Sequence, residues 1–237
     1  IEVLKQTKTL ADEVQRSAPA EAASGQAPGA CPGARGPTRS AVVFGHSMGV
    51  QVALEAAHRH PARVRGLVLV CGAPSHPLRT FRGGGTGLEA LVPRARAAVD
   101  RAPWLANGLA RALLPTRLAF HIATRVEIDG ALVELADFMP YLRGLSRIDV
   151  RLFLAMLAAA GAHSAETYLG EIAVPTLVIA GGRDGFTPAT LSRRMAEAIP
   201  GAEYLQVDHG SHTAPLEAPE VIQPAVLTFL ERFRDHT

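Results

Sequence analysis

Lysine is nearly missing from this chain. Lys5 and Lys8 are its only examples, and the other basic residues are arginines scattered along the sequence. A nucleic-acid face needs basic residues clustered with aromatics. With a formal charge of only +2 and 5% aromatic residues, that scatter argues against a nucleic-acid partner. Cysteine is equally scarce: Cys31 sits in a Pro/Gly-rich stretch and Cys71 closes an apolar run. No disulfide framework is expected, and a reducing, cytoplasmic compartment fits. Cys71 reads as a small core hydrophobe. Long apolar runs are absent too, since the longest, residues 152–162, has about 11 residues where a bilayer span needs roughly 20. No membrane span is expected. The first eight residues carry charge where an export signal would be apolar. The chain begins without methionine, which leaves room for an upstream segment.

What remains is a globular composition, 237 residues with 48% apolar and 19% charged, long enough to bury a full core. Residues 1–16 suit a helix with Val3, Leu4, Leu10 and Val14 on one face. Residues 17–40 turn to Ala, Pro, Gly and Ser and read as a flexible connection. An apolar strand at 41–44, a helix from Met48 that Pro61 closes, and a strand at 64–70 make a βαβ unit. The second strand is apolar without alternation apart from Arg65 and Gly66, as a parallel strand covered on both faces should be. Further on come a strand at 175–180, a helix at 188–199, a strand at 203–207 and a helix at 220–234. The fold class is α/β with a mostly parallel sheet.

Between 76 and 172 that rhythm breaks. The stretch is rich in Ala, Leu and Arg, has prolines at 77, 93, 103, 115 and 140, and contains no convincing strand. It is too long for a loop and is expected to be a helical insertion over the strand ends. Phe81, Trp104, Phe138, Met139, Tyr141, Phe153 and Met156 could line an apolar site there or simply pack its helices. Gly83-Gly84-Gly85-Thr86-Gly87 lacks the Lys-Ser/Thr and the preceding strand of a phosphate cradle, so it reads as a hinge into the insertion.

The chemistry centres on Gly45-His46-Ser47-Met48-Gly49, placed between a strand and a helix. A Gly-x-Ser-x-Gly turn holds its serine in a strained conformation that needs small residues two before and two after, which accounts for Gly45 and Gly49. The turn lifts the Ser47 hydroxyl above the carboxyl edge of the sheet and aims the Met48 backbone N–H at a developing oxyanion. A hydroxyl is a weak nucleophile and needs a base, which needs an orienting partner. Asp184 sits just after the strand at 175–180, where open α/β sheets place their chemistry; a turn cap or a pair with Arg183 is the plainer role. For the base, His209 and His212 both follow the last strand, and residue physics alone leaves both open. His46 is expected to pack beside the turn, and His58, His60 and His236 read as solvated helix ends. Asp208-His209 could hold an ion, yet the chain shows no paired ligands on a helix and no cysteine pair. No metal or organic cofactor is expected.

These residues resemble the α/β-hydrolase family, whose triad runs Ser, Asp, His in chain order. The family's histidine precedes by five positions a glutamate followed by x-Pro. Glu217-Ala218-Pro219 fixes that frame and selects His212, with Ser211 where a glycine is usual. The resemblance implies a catalytic set of Ser47, Asp184 and His212, with Met48 N–H as an oxyanion donor. It also implies a core of residues 1–75 and 173–237, and a helical cap at 76–172 that shapes the acyl or leaving-group pocket. The implied activity is that of a serine esterase on a small acyl substrate, with carbon–carbon bond hydrolysis, lactone hydrolysis and cofactor-free haloperoxidation as nearby chemistries. The family's earlier strands and its His-Gly loop, which carries a second oxyanion donor, are not seen before Ser47. A longer native chain is therefore expected, or a homo-oligomer that covers the strand at 41–44. If nothing covered it, that strand would be a bare apolar edge, and a binding or assembly module would be the other reading.

Overall fold

A computed structural model describes residues 40–81, 84, 87–126, 128 and 130–234. The expected helix at 1–16 and connection at 17–40 lie outside them apart from Ser40, as do residues 83, 85 and 86 of the glycine-rich hinge.

Among the described residues four strands form one parallel sheet in the order β1-β2-β3-β4. They are β1 (Ala41–His46), β2 (Val64–Val70), β3 (Thr176–Gly181) and β4 (Glu203–Val207). Strands and helices alternate because each parallel pair needs a crossover. Helix α1 (Met48–Arg59) joins β1 to β2, and α8 (Ala189–Ala198) joins β3 to β4. After β4 come the short α9 (Ala214–Glu217) and α10 (Pro219–Glu231). The six residues of β3 are all buried, and β2 is buried except at Arg65, as strands covered on both faces must be.

Side chains alternate between two cores. Leu67, Leu69 and Val178 point to one face, where Val50, Ala53 and Leu54 of α1 meet Met195 and Ala196 of α8. Val68, Val70, Leu177 and Ile179 point to the other, against Ile222 and Phe229 of α10. The sheet is thus the middle of three layers. Among the described strands β1 stands at the end of the order, and its Phe44 is 47% exposed.

The register aligns the strand ends. His46 pairs with Val70, Val70 with Ile179, and Ile179 with Leu205, so the segments after β1, β2, β3 and β4 all emerge on one edge. That edge is where side chains from distant parts of the sequence can converge.

Between β2 and β3 the described residues form no strand, and their α-helices are α2 (Pro77–Thr80), α3 (Leu88–Arg101), α4 (Pro103–Leu113), α5 (Arg117–Val126), α6 (Leu135–Leu145) and α7 (Val150–Ala162). Pro77 and Pro103 open helices, where a missing N–H costs nothing. Pro93 and Pro140 lie inside α3 and α6. The insertion has its own small core of Phe120, Ile128, Val133, Phe138 and Leu142, against which Leu216 of α9 also packs. Its entry and exit meet where Ser75 bridges Ser164 and Ala165 N donates to Pro74 O. Gln51 of α1 donates to Ala160 O, tying the helix after the turn to α7. No helix among the described residues is long and apolar enough to cross a membrane.

Phe229, 1% exposed, is among the largest fully buried side chains and anchors α10 to the sheet. Phe229→Ala is expected to lower stability by about 3–5 kcal/mol, read as a shift in the urea midpoint.

Candidate active site

Ser47 has φ 56° and ψ −122°, a left-handed backbone that an ordinary L-residue avoids. Two bonds hold it there: Ser47 N donates to Val70 O at 3.0 Å, and Val50 N donates to Ser47 O at 3.0 Å. A Cβ on Gly45 would lie 2.5 Å from Gly49 O, so the small residue expected two before the serine is a steric necessity. The same expectation at Gly49 is not met, since a Cβ there would find open space. The crowding is one-sided, because it is the Gly49 backbone that Gly45 must accommodate. Gly72, two residues beyond β2, is a further requirement that sequence reasoning missed, since its Cβ would fall 2.8 Å from Ser47 O and 2.3 Å from a Val50 methyl. Met48 is the first residue of α1, where backbone N–H groups have no partner within the helix.

His212 meets Ser47 from the other end of the sheet. Its Nε2 lies 2.8 Å from Ser47 Oγ, and its Nδ1 lies 2.9 Å from Asp184 Oδ2. A carboxylate only accepts, so Nδ1 carries the proton and Nε2 is left to accept from the Ser47 hydroxyl. Asp184, 4% exposed, also accepts from Phe186 N, Thr187 N and Thr187 Oγ1, each at 2.8 Å. It therefore caps its turn and holds His212 at once, with donors on both oxygens. The alternative base, His209, is elsewhere: its Nδ1 accepts from Arg183 Nη2 at 3.1 Å.

The loop carrying His212 is fastened on several sides. Buried Glu217 accepts from Ser211 N and Ser211 Oγ, each at 2.5 Å, and from Thr213 Oγ1 at 2.9 Å. Gly181 and Gly182 let the loop close in, since a Cβ on Gly181 would be 2.2 Å from Ser211 O. The frame that picked His212 out of the sequence thus has a physical basis, because its glutamate holds the residues on either side of the histidine. His46 Nε2 donates to His212 O at 2.9 Å, so the residue beside the serine supports the loop of the imidazole. His46 is exposed by area yet crowded by protein, and that desolvation is the main cause of a lowered pKa, with nearby His212 second. No sequence signal pointed to this contact.

Two other residues behave as expected. His58 is exposed in the last turn of α1, a solvated helix end, where it stacks on Tyr168 with ring centroids 4.1 Å apart and pairs with Glu171. Beside it Glu55 is held at a pKa of about 2 by hydrogen bonds from Tyr168 and His163. Cys71 is fully buried, and burial first, then the charge of Asp184, pushes its thiol up to about 12. Among the described residues no group of three or more His, Cys, Asp or Glu could hold a metal ion.

The model of the alpha/beta hydrolase fold family matches residues 35–219, and the chain belongs to that family. One relative, named "Putative carbamate hydrolase RutD", from Azorhizobium caulinodans, is 32% identical over 191 residues, covering 79% of this chain and 64% of the relative. Among solved structures, a hydrolase from Pseudomonas aeruginosa is 26% identical with a TM-score of 0.58, covering 81% of this chain and 65% of that one. The enol-lactonase from Burkholderia xenovorans is likewise 26% identical, with a TM-score of 0.56 and coverage of 82% and 66%. The chain spans just under two thirds of the length of each of these proteins.

Two outcomes are expected. Iodoacetamide at pH 8 leaves the Cys71 peptide unlabelled in the folded protein and labels it in urea, as peptide mass mapping would report. The lowered His46 pKa means that the unfolded chain takes up a proton first, so stability falls as pH drops through about 6.5. Urea unfolding between pH 8 and 5.5 should show that loss in the wild type and less of it in His46→Asn.

Proposed function

We propose that this chain is a serine hydrolase acting on a small carboxylic ester or related acyl compound through an acyl-enzyme. The observation that carries the reading is the unbroken chain of hydrogen bonds from Ser47 Oγ through His212 to Asp184. Ser47 Oγ attacks the acyl carbon while its proton passes to His212 Nε2. The Met48 N–H binds the negative oxygen, and Asp184 fixes the tautomer and stabilises the imidazolium. The imidazolium then protonates the leaving oxygen as its bond to the acyl carbon breaks. Water, activated by the same imidazole, releases the acid and restores Ser47. No step calls for a metal or an organic cofactor.

In this reading residues 1–75 and 173–237 are the catalytic core and 76–172 a cap over its strand ends. The pinned entry and exit of the helical insertion support that division. Carbamate and lactone are the rival acyl groups, because the relatives with those words in their names share the fold. Each places a carbonyl carbon where Ser47 would attack, so the elbow alone does not separate them. A non-catalytic binding module is the reading from another class, and it predicts no labelled serine.

A fluorophosphonate probe should label the wild type and not Ser47→Ala. Asp184→Asn should lower kcat on a short nitrophenyl ester by about 10⁴. Equal labelling of wild type and Ser47→Ala would falsify the assignment of the nucleophile. Parallel assays on a nitrophenyl ester, a carbamate and a γ-lactone rank the acyl classes by kcat/KM.

A further inference from the structure

Two phenylalanines from different parts of the fold line up on the imidazole. The Phe186 ring lies 4.9 Å from that of His212, tilted by 48°, and the Phe81 ring lies 4.6 Å from Phe186, tilted by 44°. Phe186 belongs to the acid turn, and its backbone N–H donates to Asp184 Oδ1, so the hydrogen bonds that orient the carboxylate also place this ring. Phe81 follows α2, at the entry to the helical insertion. Neither ring is in the three hydrophobic cores, and both are half-buried.

Position relative to the chemistry gives this pair its meaning. In the proposed mechanism, His212 Nε2 delivers a proton to the leaving oxygen, which must come within about 3 Å of that nitrogen. Carbons attached to the oxygen are thereby carried along the imidazole toward whatever packs on it. Two rings do so, His46 of the elbow at 5.1 Å and Phe186 of the acid turn at 4.9 Å, and only Phe186, backed by Phe81, is apolar. The opposite, acyl end of the substrate stays with Ser47 and Met48, on the elbow. Two apolar rings about 5 Å apart offer a flat group offset or edge-on contact, and offer an ionic group nothing in exchange for its hydration.

We infer that Phe186 and Phe81 form the wall of a leaving-group subsite, and that the alcohol released by Ser47 is apolar and flat, an aryl-methyl or similar aromatic alcohol. This rests on the serine-hydrolase reading above and adds to it which side of the scissile bond is selected, and for what. The step itself is unchanged: the acyl–oxygen bond breaks, the oxygen takes the His212 proton, and the aromatic alcohol departs past the wall.

Benzyl acetate and cyclohexylmethyl acetate share an acyl group and a primary-alcohol leaving group and differ in the flatness of the ring. The wild type should favour the benzyl ester in kcat/KM by about two- to tenfold, the scale of one aromatic contact. In Phe186→Leu, and separately in Phe81→Leu, that ratio should fall toward one. The ratio cancels any loss of activity common to both esters, and the second variant serves if the first does not fold. Saturation-transfer NMR of benzyl alcohol reads the wall without turnover, with binding to wild type that weakens in either variant. Ser47-dependent hydrolysis with an unchanged ratio and unchanged alcohol binding overturns the subsite and leaves the hydrolase reading standing. Hydrolysis that does not depend on Ser47 overturns the mechanism on which the subsite rests.

Discussion

One backbone angle governs the candidate site: φ of 56° at Ser47. A left-handed non-glycine costs on the order of 1–3 kcal/mol and persists only when its surroundings over-determine it. Here β1 is paired along its length to β2, and α1 is sunk into the core through Val50, Ala53 and Leu54. The chain must reverse between those two fixed elements within one residue. Gly45 and Gly72 are the small residues that let it do so. Loosening either neighbour would relax the serine into an ordinary turn and withdraw its hydroxyl from His212.

The same economy of anchoring recurs at the other two side chains. Asp184 is held by the turn that it caps, and His212 by a loop clamped through Glu217 and by the backbone contact from His46. Each member therefore reaches the site on a rigid support drawn from a different strand end. Pre-organisation of this kind is what lets fixed dipoles act on developing charge without moving.

Much of this was legible in the sequence. The strands at 64–70 and 203–207 have the expected bounds because runs of apolar residues between Gly, Pro and charge leave few alternatives. The helical character of the insertion followed from its composition and length. What could not be read were contacts between residues far apart in sequence. The hydrogen bond from His46 to the His212 carbonyl spans 166 positions, and the stacking of the exposed His58 on Tyr168 likewise joins distant segments. Steric needs were also only half visible: glycine at 45 is enforced by a backbone, glycine at 49 by nothing nearby, and the importance of Gly72 appears only once β2 and the turn are side by side. The choice between His209 and His212 likewise needed the family frame, and its physical cause, a buried glutamate holding the loop, is a tertiary fact.

The meeting of Ser75 with Ser164 at the two ends of the helical insertion also bears on what so long an excursion costs the fold. A segment whose ends are already adjacent closes its loop on the host fold whatever its internal length, since closure entropy grows only slowly with chain length. The spacing of β2 and β3 is therefore held by their ladder and by this bridge, whatever length of chain lies between the two serines.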